Sequence, residues 1–120
     1  MRLLGKLVLV GMLIGAGPSW AGDCIVSGPA PQLDAQPIAW SFAIAGGQRC
    51  LKGLRSAAML LDQVAVESPA KYGQATVQGY AFSYQAPRDF KGEDVFSVAI
   101  TGRFRGVAGR SVIEVRVNVR

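Results

Sequence analysis

The stretch that decides the fold is Asp94-Val-Phe-Ser-Val-Ala-Ile-Thr-Gly-Arg-Phe-Arg-Gly-Val-Ala-Gly-Arg-Ser-Val-Ile-Glu-Val-Arg-Val-Asn-Val119. Phe96, Val98 and Ile100 alternate with Val95, Ser97, Ala99 and Thr101, and Ile113, Val115, Val117 and Val119 alternate with Val112, Glu114, Arg116 and Asn118. An apolar residue at every second position is the mark of a strand with one face buried. Two such runs joined by a short connection pair antiparallel, so the segment predicts a hairpin: a strand over 94–101, a loop over Gly102 to Arg110 and a strand over 111–119.

Working outward, the same period returns. Ile38, Trp40, Phe42 and Ile44 alternate with Ala39, Ser41, Ala43 and Ala45 before Gly46-Gly47 ends the run, and Tyr80, Phe82 and Tyr84 alternate with Ala81, Ser83 and Gln85. All three aromatics of the latter run are expected in the core, with Trp40. Shorter candidates are Leu60 to Val66 and Ala75 to Gln78. The segment 51–61 fits either a turn or two of helix or a loop running into a strand, and Gly53 favours the loop. Residues 22–37 hold Pro29, Pro31 and Pro37 and read as an extended N-terminal arm. About seven short strands in a chain this size predict an all-β, antiparallel β-sandwich over 38–120, with a barrel as the competing architecture.

The first 21 residues stand apart. Arg2 and Lys6, an apolar run from Leu7 to Gly17, and Ser19-Trp20-Ala21 form a secretory signal pattern cleaved after Ala21. The run is too short for a transmembrane span. The expected location is periplasmic or secreted. Acylation of Cys24 is the alternative export route, but the acidic Asp23 directly before it is unlike the small residues of lipoprotein sites. Loss of the leader takes Arg2 and Lys6 away, leaving 11 basic and 8 acidic side chains and a net charge of +3, against +5 for the 120-residue chain. So mild a surplus, spread along the chain, does not point to nucleic acid. Export favours a disulfide between the two cysteines, Cys24 and Cys50, over free thiols or an intermolecular bridge.

Chemistry is sparse. The chain has no histidine, which removes the commonest general base and metal ligand, and no C-x-x-C pair. No catalytic residue, metal site or cofactor is expected. An enzyme would have to use carboxylates alone, from Asp62, Glu67, Asp89, Glu93, Asp94 and Glu114.

The run Tyr84-Gln-Ala-Pro-Arg-Asp-Phe90-Lys-Gly92-Glu-Asp94-Val-Phe96 resembles the Y-x-P-x-x-x-F-x-G-x-D-x-F signature of bacterial immunoglobulin-like and cadherin-like repeats of exported and surface proteins. The Pro69 to Gly73 segment is similar to the turn that precedes it there, and the closing strand fits as well, so the resemblance covers about half the chain. Two positions depart: Ala86 stands where the family has proline, with Pro87 one place later, and Ala70 replaces a second proline upstream. The resemblance implies an immunoglobulin-like sandwich. The calcium clusters of cadherins are not implied, because Asp89, Glu93 and Asp94 are the only close acids. In physical terms, Phe90 is suited to plugging an open end of the sandwich, Gly92 to a positive-φ turn, Asp94 to accepting amide hydrogen bonds from that turn, and Phe96 to starting the buried face.

The residues left for binding are Arg103, Phe104, Arg105 and Arg110 in the predicted loop, where guanidinium groups beside an aromatic suit an envelope protein or an anionic polymer. The expectation is a non-enzymatic exported module that binds such a partner or reinforces an envelope assembly. Its competitors are a carboxylate-dependent carbohydrate-active enzyme or accessory, and a small extracellular inhibitor that inserts the Gly102 to Arg110 loop.

Overall fold

A computed structural model of the chain describes residues 22–34, 37–56 and 59–120; the signal pattern expected over residues 1–21 lies outside the described residues. Eight strands follow in order: β1 (Gly22–Asp23), β2 (Ile38–Ile44), β3 (Arg49–Gly53), β4 (Leu60–Ser68), β5 (Gln74–Gln78), β6 (Ala81–Gln85), β7 (Gly92–Phe104) and β8 (Val107–Val119). They form two four-stranded sheets, β1-β3-β6-β5 and β2-β8-β7-β4. The protein is an all-β sandwich.

Alternation places the core where the sequence does. Ile38, Trp40, Phe42 and Ile44 point inward from β2, Phe96, Val98 and Ile100 from β7, and Ile113, Val115, Val117 and Val119 from β8. Phe82 and Tyr84 of β6 meet them from the opposite sheet. The Phe82 ring packs edge-on against Phe96 at 5.3 Å, Tyr84 stacks on Phe96 at 5.5 Å, and Phe42 sets its edge to Tyr84 at 6.0 Å. Such ring pairs add about 0.5 to 1.5 kcal/mol each beyond the area they bury.

Four expectations are corrected. The sandwich is not wholly antiparallel: β2 runs parallel to β8 over seven residue pairs, and β1 parallel to β3. Because β2 passes to the other sheet after Ile44, no hairpin links it to β8, and nothing imposes an antiparallel partner. The predicted nine-residue loop over Gly102 to Arg110 is strand almost throughout. Gly102 and Gly109 face each other in the ladder, and only Arg105-Gly106 turn, with φ of 53° and 80°. Positive φ at both central residues is the geometry that matches strand twist in a two-residue hairpin. The two glycines serve close approach. A Cβ on Gly102 would overlap the Leu60 carbonyl, and one on Gly109 would lie 2.6 Å from the Asp34 carboxylate.

The segment left open, 51–61, begins as strand β3, tied to β6 from Arg49↔Gln85 to Gly53↔Ala81, before the buried Leu54. Tyr80 is not core. Gly79, at φ 63°, ends β5, so Tyr80 falls in the turn and stays 37% exposed.

Residues 24–34 run along the sandwich. The Cys24–Cys50 disulfide, with its Cα atoms 5.4 Å apart, joins them to β3. Ser27 and Ser41 exchange backbone hydrogen bonds of 2.8 and 2.9 Å, and the Trp40 indole donates to the Pro29 carbonyl at 2.7 Å. Further on, the Asp34 amide donates to the Arg110 carbonyl and Ser111 Oγ to the Gln32 carbonyl. Closing a loop with a sequence separation of 26 restricts the unfolded chain by about 3 to 4 kcal/mol. Reducing the bond, or replacing both cysteines with serine, is therefore expected to lower the unfolding free energy by about that amount. Urea unfolding followed by circular dichroism measures it; an unchanged midpoint would show that the crosslink contributes nothing.

Candidate functional site

Two constellations stand out, one at each end of the sandwich. The first centres on Asp94, which is 1% exposed. Its carboxylate accepts the amides of Lys71 at 2.9 Å, Tyr72 at 3.2 and 3.3 Å, Gly73 at 2.8 Å and Val95 at 3.0 Å, and the Tyr84 hydroxyl at 2.7 Å. The amides expected from the Gly92 turn come instead from the loop between β4 and β5, more than twenty residues upstream. A carboxylate offers about four lone-pair positions, and these donors occupy them. Burial pushes the Asp94 carboxyl up, but the hydrogen bonds from Gly73, Tyr84, Lys71 and Tyr72 together outweigh it and hold the group below the usual carboxylate range. Burial, then the hydrogen bond and charge of Asp94, push the Tyr84 hydroxyl well above the usual phenol range.

The neighbouring signature residues serve the same end. Phe90 packs partly against the core and stacks on Tyr72 with centroids 4.3 Å apart. Gly92 takes φ 139°, and a Cβ there would come 3.3 Å from the Phe90 ring. Phe96 is 1% exposed and begins the buried face of β7. This end is a structural joint between the two sheets.

The second constellation lies at the end bounded by the β7–β8 tip, the β5–β6 turn and the residues leading from β3 to β4. The hairpin does not gather its arginines. Arg103 lies 3.5 Å from Asp62, and Arg110 lies 2.7 Å from Glu67. Both acids are the residues left unpaired where the β4–β7 register slips, between Leu61 and Gln63 and between Val66 and Ser68. These two arginines thus hold the bulges of an edge strand. Phe104 and Arg105 are at the tip, with the Arg105 guanidinium 5.2 Å from the Phe104 ring centroid.

Residues not singled out in the sequence complete the surface. Arg55 stands over the Tyr80 ring at 5.2 Å; Lys52 stands over the buried Trp40 at 5.8 Å, farther along the sandwich. Leu60 and Val107 are 75% and 65% exposed. Leu60 pairs with Arg103 and shares its outward face, whereas Val107 pairs with Phe104 on the other side of the hairpin. A cleft of about 470 Å³ between the tip and the arm is lined by Leu33, Asp34, Phe104, Arg105 and Val107, and a second, of about 410 Å³, by Arg55, Met59, Leu60 and Tyr80. Among the described residues, no carboxylate lies within ion-pair distance of Lys52, Arg55 or Arg105. Leu60 and Val107 break the inward rule of their strands, but without a register a sequence cannot show it.

The remaining carboxylates stand apart. Glu93 and Glu114 both reach Arg116 on the open outer face of the β2-β8-β7-β4 sheet. None of the described clefts is lined by two of the six acids considered for catalysis. Among the described residues no group of three metal-ligating side chains occurs, and no helix is long and apolar enough to cross a membrane. No family model, curated protein or solved structure matches the chain.

Asp94→Ala strands several buried donors, and is expected to cost about 3 kcal/mol or more; Tyr84→Phe, about 1.5 to 3. Gly73→Ala also breaks the joint, since the new Cβ would sit 2.5 Å from Tyr84 Oη. The pH dependence has a definite sign. Asp94 titrates lower in the folded chain than its unfolded value of about 3.9, so its contribution is complete above about pH 5 and is lost as pH falls below 4 toward the folded value. Tyr84 titrates higher than the unfolded value of about 10, so its contribution holds below that pH and is lost as pH rises beyond it. Urea midpoints across pH test both: Asp94→Asn should flatten the acid limb and Tyr84→Phe the alkaline limb.

Proposed function

We propose that the protein is an exported, non-enzymatic binding module, an immunoglobulin-like domain whose hairpin end engages an acidic protein of the cell envelope. The observation that carries this reading is the two cation–ring pairs of the hairpin end, Arg55–Tyr80 beside the exposed Leu60 and Arg105–Phe104 beside the exposed Val107. A guanidinium stacked on a ring keeps its in-plane N–H donors free for carboxylates and loses less freedom when it binds. Tyr, Phe and Arg beside exposed aliphatic side chains is the composition of the residues that dominate protein interfaces. The two aliphatic residues favour a protein over a purely anionic polymer, which would offer them nothing to bury against. Export is supported by the leader pattern and by the Cys24–Cys50 bond, which persists in an oxidising compartment.

The test is retention of envelope proteins by the immobilised, oxidised protein, compared with Phe104→Ala, Arg105→Ala and Arg55→Ala. Each exposed side chain can be removed without opening the core, and each substitution is expected to weaken the interaction about tenfold, the scale of a central interface residue. Retention should also fall with added salt. Equal retention by the triple variant would remove the hairpin end from the interaction.

A further inference from the structure

The four sheet edges are treated differently. A free edge presents unpaired N–H and C=O groups to any chain that can align with them, and folds blunt such edges with charge, bulges or covering segments. β1 is two residues long, and β2 is bridged by the arm at Ser27–Ser41. β4 carries two bulges and the ion-paired Asp62 and Glu67. β5, Gln74-Ala-Thr-Val-Gln78, has no charge, no proline and no bulge, and its register with β6 is unbroken from Gln74↔Gln85 to Gln78↔Ala81. Among the described residues no hydrogen bond reaches its outer side.

The sequence of that edge reads almost the same in both directions. From Tyr72 to Tyr80 it is Tyr-Gly-Gln-Ala-Thr-Val-Gln-Gly-Tyr, symmetric about Thr76 except for Ala75 and Val77. We propose that β5 is a homodimerisation strand that pairs antiparallel with β5 of a second copy about a two-fold axis through Thr76. That operation sets Gln74 opposite the partner's Gln78, Ala75 opposite the partner's Val77 and Thr76 opposite the partner's Thr76. Amide–amide and Thr–Thr pairs are favourable neighbours across an antiparallel ladder, and no like charges meet. Ala75 and Val77, half-buried on the core side, continue the apolar face across the junction, while Gln74, Thr76 and Gln78 stay on the solvent side. Tyr72 and Tyr80, 48% and 37% exposed, lie at the two ends of the strand. The same symmetry directs Tyr72 toward the partner's Tyr80 at both ends of the junction.

An isologous contact of this kind closes at two copies. It makes one eight-stranded sheet from two four-stranded ones. The antiparallel axis also points the two hairpin ends in opposite directions. The contact shares Tyr80 with the hairpin end but needs neither Phe104 nor Arg105.

Sedimentation equilibrium of the oxidised protein over a range of concentrations tests the proposal. The wild type is expected to form dimers with a dissociation constant on the order of micromolar, as suits a small interface. Thr76→Lys places like charges on the axis and is expected to weaken dimerisation at least tenfold. Its side chain points to solvent, and an unchanged urea midpoint confirms that the fold is intact. Thr76→Cys should crosslink to itself under mild oxidation, whereas Ser41→Cys, on an exposed face elsewhere, should not. A wild type that stays monomeric at about millimolar concentration, a Thr76→Lys variant that dimerises as well as wild type, or crosslinking of Thr76→Cys no faster than Ser41→Cys would each overturn the proposal.

Discussion

The carboxylate of Asp94 is the constraint on which the rest of the structure leans. It lies in β7, in one sheet; Tyr84, which donates to it, lies in β6, in the other; and the amides of Lys71, Tyr72 and Gly73 belong to the segment that crosses between them. Its burial is favourable only because several donors are delivered together, since an unpartnered buried carboxylate would cost many kcal/mol or take up a proton. That requirement fixes the crossing loop and hence the start of β5 at Gln74. It also sets the Tyr84 ring on Phe96. Hydrogen-bond geometry at one residue thereby sets the relative placement of both sheets.

Much of the fold was legible because alternation is a local property. The inward faces of β2, β7 and β8 follow from residue type at every second position, with no knowledge of what lies opposite. Asp94 shows where locality stops: its chemistry pointed to amide donors, but nothing nearby in sequence identified the loop that supplies them. The roles of Gly102 and Gly109 were not legible for a related reason. Glycine marks both turns and close backbone approach, and only the Leu60 carbonyl and the Asp34 side chain, far away in sequence, distinguish these uses. The hairpin arginines were legible as cations. Which of them had partners depended on the bulges of β4, and bulges leave no reliable trace in a sequence that has not been aligned to its neighbour strand.

The two ends of the sandwich divide their labour accordingly. At the Asp94 end, polar groups are consumed by one another and the aromatics Tyr72 and Phe90 close the surface. At the hairpin end, cations stack on rings without carboxylate partners, and aliphatic side chains stand in solvent. The disulfide and the buried joint stabilise the molecule away from that surface.

The parallel pairing of β2 with β8 governs the order in which the chain can become a protein. β8 lies at the centre of its sheet, between β2 and β7, yet it is the last strand in the sequence. As the chain emerges N-terminus first, Ile38 to Ile44 has no ladder partner beyond the single Ser27–Ser41 bridge until residues past Ile113 arrive. Its four large inward side chains wait exposed for nearly the whole length of the domain. Contacts so distant in sequence close slowly. That strand is therefore the apolar surface this fold leaves uncovered longest, and a chain stopped a few residues early would lose the middle of a sheet, not its margin.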